Sequence, residues 1–320
     1  MTQQRPNGAP GSEVSGLALI DKPAGWTSHD VVGKTRRLAG TRKVGHAGTL
    51  DPMATGLLVI GFNKATRLLT AITGTDKTYQ ATIRLGASTT TDDADGEIVR
   101  SRLANAVTEE RVQEQISELT GDILQIPSSV SAIKVDGRRA YDRVRAGEDV
   151  ELQARPVRID SFELTDYRRA EDGKTVDLDV TVSCSSGTYI RALARDLGEA
   201  LDTGGHLTML RRTRVGPFYV DDAVTVDQLA DTFAYIELSE AASGLFPVRT
   251  LTDDEAADLQ FGRRITPSED AGTVAARTRD GVVIALIENS TFRDTAVAKP
   301  SIVFAAADGP GQLPEKGTPS

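Results

Sequence analysis

The stretch of the chain best suited to chemistry is Gly45-His46-Ala47-Gly48-Thr49-Leu50-Asp51-Pro52. Two glycines and a proline surround one acid, so the segment is a loop rather than a helix interior. An acid held between Gly-rich turns, just ahead of an apolar strand, can present its carboxylate rigidly in a cleft. There it could act as a nucleophile or a general base. On spacing alone, an Asp that opens a turn before Pro52 is the commoner arrangement. The three histidines, His29, His46 and His206, show no metal-ligand spacing. The single cysteine, Cys184, allows neither an internal disulfide nor a Cys-based metal site. A metal-dependent hydrolase built on His46 and Asp51 is therefore a weaker rival to metal-free carboxylate chemistry.

The net charge of −9 over 320 residues argues in bulk against a nucleic-acid partner. Its distribution reverses that. Residues 221–320 carry 8 Lys/Arg against 17 Asp/Glu, so the excess acid is confined there and the first 220 residues are neutral. Within the neutral part, cations gather in three places: Lys34, Arg36, Arg37, Arg42 and Lys43, with no acid between Val31 and Leu50; Lys134, Arg138, Arg139, Arg143 and Arg145; and Arg211, Arg212 and Arg214. One such cluster reads as a solvated helix face. Three of them, each beside a Gly-rich or chemically suggestive segment, read as phosphate-binding patches, which local charge rather than overall pI sets.

These residues need a scaffold to hold them. Residues 16–22 predict a buried strand ending at the turn Pro23-Ala24-Gly25, and Thr27 or Ser28 can cap a helix over 29–38 that stops at Gly40. Strands follow over 57–62 and 78–85, with a short helix over 65–72 between them. Thr89 to Gly96 is an acidic turn, and 108–119 a helix whose capping box is imperfect because Arg111 holds the third position. Residues 121–152 predict a loop-and-helix excursion carrying the second basic cluster. Strands over 157–164 and 176–182 join at a polar hairpin, Glu171-Asp172-Gly173; a helix over 189–201 and a strand over 215–220 come next. A linker at Ser243 to Pro247 leads to a small unit of short strands over 248–305, such as 282–287 and 301–304. Residues 1–15 and 308–320 predict disordered tails. No apolar run approaches the roughly 20 residues of a membrane span, and residues 1–15 lack the apolar segment of a signal peptide, so a soluble cytoplasmic protein is expected. The mixture predicts an α+β fold with a mainly antiparallel sheet.

Seven blocks in order along residues 16–220 strengthen the picture. They are GLALIDKPAGWTSHD with GHAGTLDPMATGLL; NKATRLL; DKTYQATIRLG; TDDADGEIV; IPSSVSAIKVDGRRAY; SCSSGTYIRALARDLG; and HLTMLRRTRVGPF. Together they resemble the TruB family of pseudouridine synthases. The resemblance implies a pseudouridine-synthase core over 16–245: a mainly antiparallel mixed sheet flanked by helices, with 121–152 as an RNA-binding insertion. A small PUA-like β-rich domain over 248–305 would follow. It also implies an isomerase that takes the uridine at position 55 of the tRNA T loop out of its stack, breaks the glycosidic bond and rejoins the ribose at C5. No cofactor, metal or obligatory protein partner is implied, and a monomer is expected. Guide-RNA-dependent relatives share these blocks but carry a larger, basic C-terminal domain, which the acidic end of this chain does not match.

By the same resemblance, Asp51 is the nucleophile, and Arg191 in GTYIR pairs with it. A buried carboxylate needs a cation to remain ionised, and a guanidinium does not lose its proton. Tyr79 in DKTY would stack on uracil and reach the C5 proton, and Leu210 would pack on the base. His46 would insert into the RNA loop and stack. Lys22 and Lys64 are expected at phosphate or active-site contacts; Lys134, Arg138, Arg139 and Arg143 in the insertion, and Arg211 and Arg212 beside Leu210, at backbone phosphates.

Overall fold

The computed structural model describes residues 14–128 and 152–304, together with 3–6, 10, 134–135 and 138–139. The strands of the first half are β1 (Gln3–Pro6), β2 (Gly16–Lys22), β3 (Val44–His46), β4 (Thr55–Phe62), β5 (Lys77–Leu85), β6 (Ala87–Thr89), β7 (Ile98–Ser101), β8 (Gly121–Gln125), β9 (Lys134–Val135) and β10 (Arg138–Arg139). Those of the second half are β11 (Arg155–Arg169), β12 (Val176–Cys184), β13 (Gly205–Val215), β14 (Phe218–Tyr219), β15 (Val224–Thr225), β16 (Thr232–Glu237), β17 (Val248–Thr250), β18 (Thr273–Arg277), β19 (Val283–Phe292) and β20 (Thr295–Val303). Four helices matter to the site: α1 (Ser28–Ala39), α2 (Leu69–Gly74), α3 (Glu109–Glu118) and α4 (Ile190–Ala200).

The large sheet runs β1-β16-β2-β4-β13-β5-β12-β11-β8, with β3, β14 and β15 attached at its sides. Its pairs are antiparallel except β13 with β4 and β15 with β2, so it is a mainly antiparallel mixed sheet. Period-2 chemistry decides which face each residue meets. Along β2 and β4, Ala18, Ile20, Leu58, Ile60 and Phe62 join one core, beneath α1, α3 and α4. Their neighbours Leu17, Leu19, Leu57 and Val59 join a second core on the opposite face. Strands with both faces covered read as continuous apolar runs, as LLVI in β4 does. By contrast, β5 and β12 alternate between buried and half-exposed positions.

Several elements depart from the sequence expectation. Gln3–Pro6, placed in a disordered tail, pair antiparallel with β16. β3 gives His46 to a strand where a loop was expected. Residues 121–125 are a strand paired with β11, not the start of a loop and helix. The helix at 65–72 is a 3-10 turn over Asn63–Leu68 running into α2. Most importantly, β13 spans Gly205–Val215 through the centre of the sheet, whereas a strand was expected only from 215. Its three arginines broke the apolar pattern that signals a central strand. Arg143 and the predicted tail from Asp308 lie outside the described residues.

The expected linker at Ser243 to Pro247 is partly helical, because Leu238–Leu245 forms a helix through Ser243. Leu238, Ala241 and Ala242 share one buried cluster with Ala275, Val283, Leu286 and Phe304. The C-terminal sheet, in the order β17-β18-β19-β20, is therefore fused to the large sheet through a common core. Among the described residues no helix is long and apolar enough to cross a membrane.

Candidate active site

The loop between β3 and β4 carries Asp51, and buried side chains hold its backbone on several sides. The Ser28 hydroxyl donates to the Leu50 carbonyl (3.1 Å) and accepts from the Leu50 amide (2.9 Å). The Gly25 amide donates to the Pro52 carbonyl at 2.8 Å. Arg212, fully buried on β13, donates to the carbonyls of Leu57 (2.8 Å), Gly48 (3.1 Å) and Thr49 (3.5 Å). Lys22, also fully buried, donates from Nζ to the carbonyls of Trp26 (2.6 Å), Pro23 (3.0 Å) and Pro52 (3.3 Å). Gly56 has φ +98°, and a Cβ there would lie 2.2 Å from the Arg212 carbonyl oxygen, so only glycine lets β4 approach β13 this closely.

Asp51 faces a cleft of about 540 Å³ lined also by Lys77, Tyr79, Arg191, Leu210 and Arg212. Its carboxylate is held bidentately by Arg191: Nε to Oδ2 at 3.0 Å and Nη2 to Oδ1 at 3.3 Å. The carboxylate keeps 36% exposure towards the cleft, while the Arg191 side chain keeps 5%. Arg191 lies in the first turn of α4, whose start is clamped by Gln125 from β8. Gln125 Oε1 accepts from the Tyr189 amide (2.9 Å), and its Nε2 donates to the Tyr189 carbonyl (3.1 Å). Arg191 Nη1 donates to the Thr91 carbonyl (2.9 Å) and lies 3.5 Å from Asp93 Oδ2. Burial raises the Asp51 carboxyl above its ordinary value; Arg191 opposes that, Asp93 adds to it, and Lys22 opposes it weakly.

Tyr79 on β5 lies across from Arg212 on β13. Burial raises its phenol, with the Arg212 guanidinium opposing, so the hydroxyl is protonated at neutral pH. Leu210 is opposite Ala81 in the same strand pair, just beyond the bulge between Leu207 and Met209. A bulge resets which face a strand's residues address, and Leu210 lines the cleft. His46 is half-buried, its ring edge-on to His29 with centroids 6.1 Å apart. Burial, then the charge of His29, lowers its pKa, which favours the neutral ring.

The structure brings together Asp51, Tyr79, Arg191 and Leu210, and treats several expected phosphate ligands differently. Lys22 and Arg212 are fully buried and donate to protein carbonyls, so neither reaches a phosphate. Arg211 is held bidentately by Asp21 (2.9 and 2.7 Å). Adjacent residues of a strand face opposite sides, so the Arg211-Arg212 pair cannot form one patch. Lys64 is exposed on the 3-10 turn and does not line the cleft. Lys134, Arg138 and Arg139 fall on the paired strands β9 and β10. Two residues that sequence reasoning missed take part. Asp93, read as part of an acidic turn, shares Arg191 with Asp51. Lys77 lines the cleft, donates to the carbonyls of Thr75 (2.7 Å) and Thr73 (3.0 Å), and is lowered to about 8, first by burial and then by Arg212. A signal for Asp93 was available: Arg191 and Arg195 are i, i+4 neighbours on α4, and Asp92 and Asp93 meet them.

The chain is similar to known proteins along most of its length. Residues 36–190 match the N-terminal domain of the TruB family of pseudouridylate synthases. Residues 191–270 match the tRNA pseudouridylate synthase B C-terminal domain, and 246–304 the tRNA pseudouridine synthase II C-terminal domain. A protein of Arthrobacter sp. (strain FB24) named tRNA pseudouridine synthase B is 60% identical over 304 residues, covering 92% of this chain and 98% of that one. A protein of the same name from Thermobifida fusca (strain YX) is 55% identical over 294 residues, covering 91% and 99%. Among solved structures, that of a Cbf5-Nop10-Gar1 complex superposes with a TM-score of 0.70 at 25% identity, covering 96% of this chain and 92% of that one. At this level of identity over nearly the full length of both proteins, the chain belongs to the TruB family of pseudouridine synthases.

Proposed function

We propose that this chain isomerises uridine to pseudouridine at position 55 in the T loop of tRNA, with Asp51 as nucleophile on a flipped-out uridine. The carrying observation is a half-exposed carboxylate gripped by a nearly buried guanidinium at the bottom of a cleft with an aromatic and an aliphatic wall. The relatives named tRNA pseudouridine synthase B support tRNA as the substrate.

The isomerisation is balanced within the nucleoside. Asp51 bonds transiently to the nucleoside, at the base or at ribose C1′; N1–C1′ breaks with its electron pair left on the uracil, the ring turns, C5–C1′ forms, and the bond to Asp51 breaks to return the free carboxylate. C5 then loses its proton and N1 gains one. Leu210 and the Tyr79 ring hold the base; the Tyr79 oxygen accepts the C5 proton while its own passes to water. Arg191 keeps Asp51 ionised against burial. His46 stacks in the opened RNA loop.

The test is tritium release from C5-labelled uridine, using the purified chain with a tRNA transcript and with an isolated T-arm hairpin. Release from both, mapped to position 55 and absent with Asp51→Asn, is expected. No release from any tRNA would leave a binding protein without chemistry.

A further inference from the structure

Outside the cleft, the entrance of α1 forms a groove of about 480 Å³ lined by Gly25, Trp26, His29, Asp30, Gly33, Lys34 and Arg37. We propose that this groove is a second RNA subsite, in which one nucleotide of the substrate strand stacks on Trp26 and its flanking phosphates meet Lys34 and Arg37. The inference rests on the RNA-modifying function proposed above.

The first argument is charge. Elsewhere, many arginines are matched by acids, Arg84 by Asp177, Arg168 by Asp179, Arg195 by Asp92, Arg211 by Asp21 and Arg214 by Asp76, while others such as Arg111, Arg155 and Arg277 stand singly among the described residues. Among the described residues, Lys34, Arg36, Arg37, Arg42 and Lys43 make no ion pair. Lys34 and Arg37 are i, i+3 neighbours on one helix face, where like charges repel unless an anion lies between them. The acid of the groove, Asp30, pairs with neither cation: its Oδ2 accepts from the Thr27 amide (2.9 Å) and hydroxyl (2.6 Å) in the helix cap.

The second argument is shape. Gly33 sits inside a helix, where glycine is disfavoured, yet a Cβ there would meet nothing within 4 Å, so protein packing does not explain it. Its absence of a side chain leaves the groove floor open to a close backbone. Trp26 offers an aromatic wall, and a base stacks on such a wall whatever its sequence.

The third argument is position. The Lys22 ammonium that binds the Trp26 carbonyl also binds that of Pro52, next to Asp51. His29 of the groove touches His46 of the catalytic loop edge-on. Groove and cleft are thus parts of one rigid surface, and a strand entering one passes the other.

Trp26 is the single tryptophan of the chain, so its emission reports the groove alone. The experiment titrates Asp51→Asn protein with a tRNA transcript, following RNA fluorescence anisotropy and Trp26 emission together, and repeats it with Lys34→Glu/Arg37→Glu and Lys34→Gln/Arg37→Gln. Trp26 emission should be quenched, and shielded from iodide, with the same Kd as the anisotropy. Both double variants should bind about tenfold more weakly, and their log K against log salt slope should be shallower by about 1.4 to 1.8, at roughly 0.7 to 0.9 per lost phosphate contact. RNA binding with unchanged Trp26 emission, or with wild-type slopes in both double variants, would overturn the subsite while leaving the isomerase reading intact. No RNA binding at all would overturn both. Loss of tritium release alone bears only on the isomerase.

Discussion

Two sets of cations lie within reach of the catalytic loop and do opposite things. Lys22, Lys77 and Arg212 are buried and turned inwards, each donating to two or three backbone carbonyls. Among the described residues, Lys34, Arg36, Arg37, Arg42 and Lys43 lie along α1 and the turn after it and make no ion pair, the one acid of α1, Asp30, being held in the helix cap. Lys22 and Arg212 brace the loop itself, and Lys77 braces the end of α2 beside the cleft. The outer set, apart from the Arg36 bond to the Val44 carbonyl, leaves its positive charge facing outward, where an external anion can meet it. A cation's role is decided by whether protein oxygens already surround it, not by how near in sequence it lies to a motif. An unsatisfied buried donor is costly, so a buried arginine arrives with its acceptors.

The comparison sharpens first at the carboxylate that the inner set positions. Asp51→Asn should lower the single-turnover rate by about 10⁴-fold or more, as loss of a covalent nucleophile does; release within tenfold of wild type would remove Asp51 from that role. Arg191→Ala leaves a partly exposed carboxylate unpaired, which puts the change towards the lower end of about 3–5 kcal/mol, so the rate should drop by about 10²- to 10³-fold while RNA affinity persists. If affinity fell in step with rate, Arg191 would belong with the outer, RNA-facing set. Because burial raises the Asp51 carboxyl, the ionised form is lost as pH falls through a value above the usual aspartate range. The single-turnover rate should therefore climb about tenfold per pH unit below that value and level off above it. A profile flat down to the ordinary aspartate value would contradict the raised carboxyl. Arg212→Met should lower stability by about 3 kcal/mol, since it orphans buried carbonyls at about 1–3 kcal/mol each, while sparing the salt dependence of RNA binding. A changed salt slope in a folded Arg212→Met protein would move Arg212 to the outer set.

Much of this could be read from the residues, and the failures share one cause. β5 and β12 alternate, α1 carries its cap at Thr27, and the glycines around Asp51 announce a loop. The Asp51–Arg191 encounter spans 140 positions and came only through a family resemblance, because no local pattern encodes it. Lys22 meets the active-site half of its expectation, through the Pro52 carbonyl, whereas Arg211 and Arg212, whose charged letters read as surface, are taken up by protein oxygens rather than left for phosphates. In β13, period-2 geometry sends Arg212 inward and Arg211 to Asp21, and only the neighbouring strands reveal those acceptors. β13 itself was missed for the same reason.

The shared core beneath the C-terminal sheet has a consequence for how this protein can vary. Phe304, Val283 and Leu286 share one buried cluster with Leu238 and Ala242 and, through it, with Leu57 and Val59 of β4. Residues 248–304 are a buttress rather than a detachable handle. Their outward charge can drift to acidic without harm, but a chain ended after Pro247 would bare greasy surface at the back of its own reaction chamber. Shortening, recharging and re-looping are open to this end of the molecule; amputation is not.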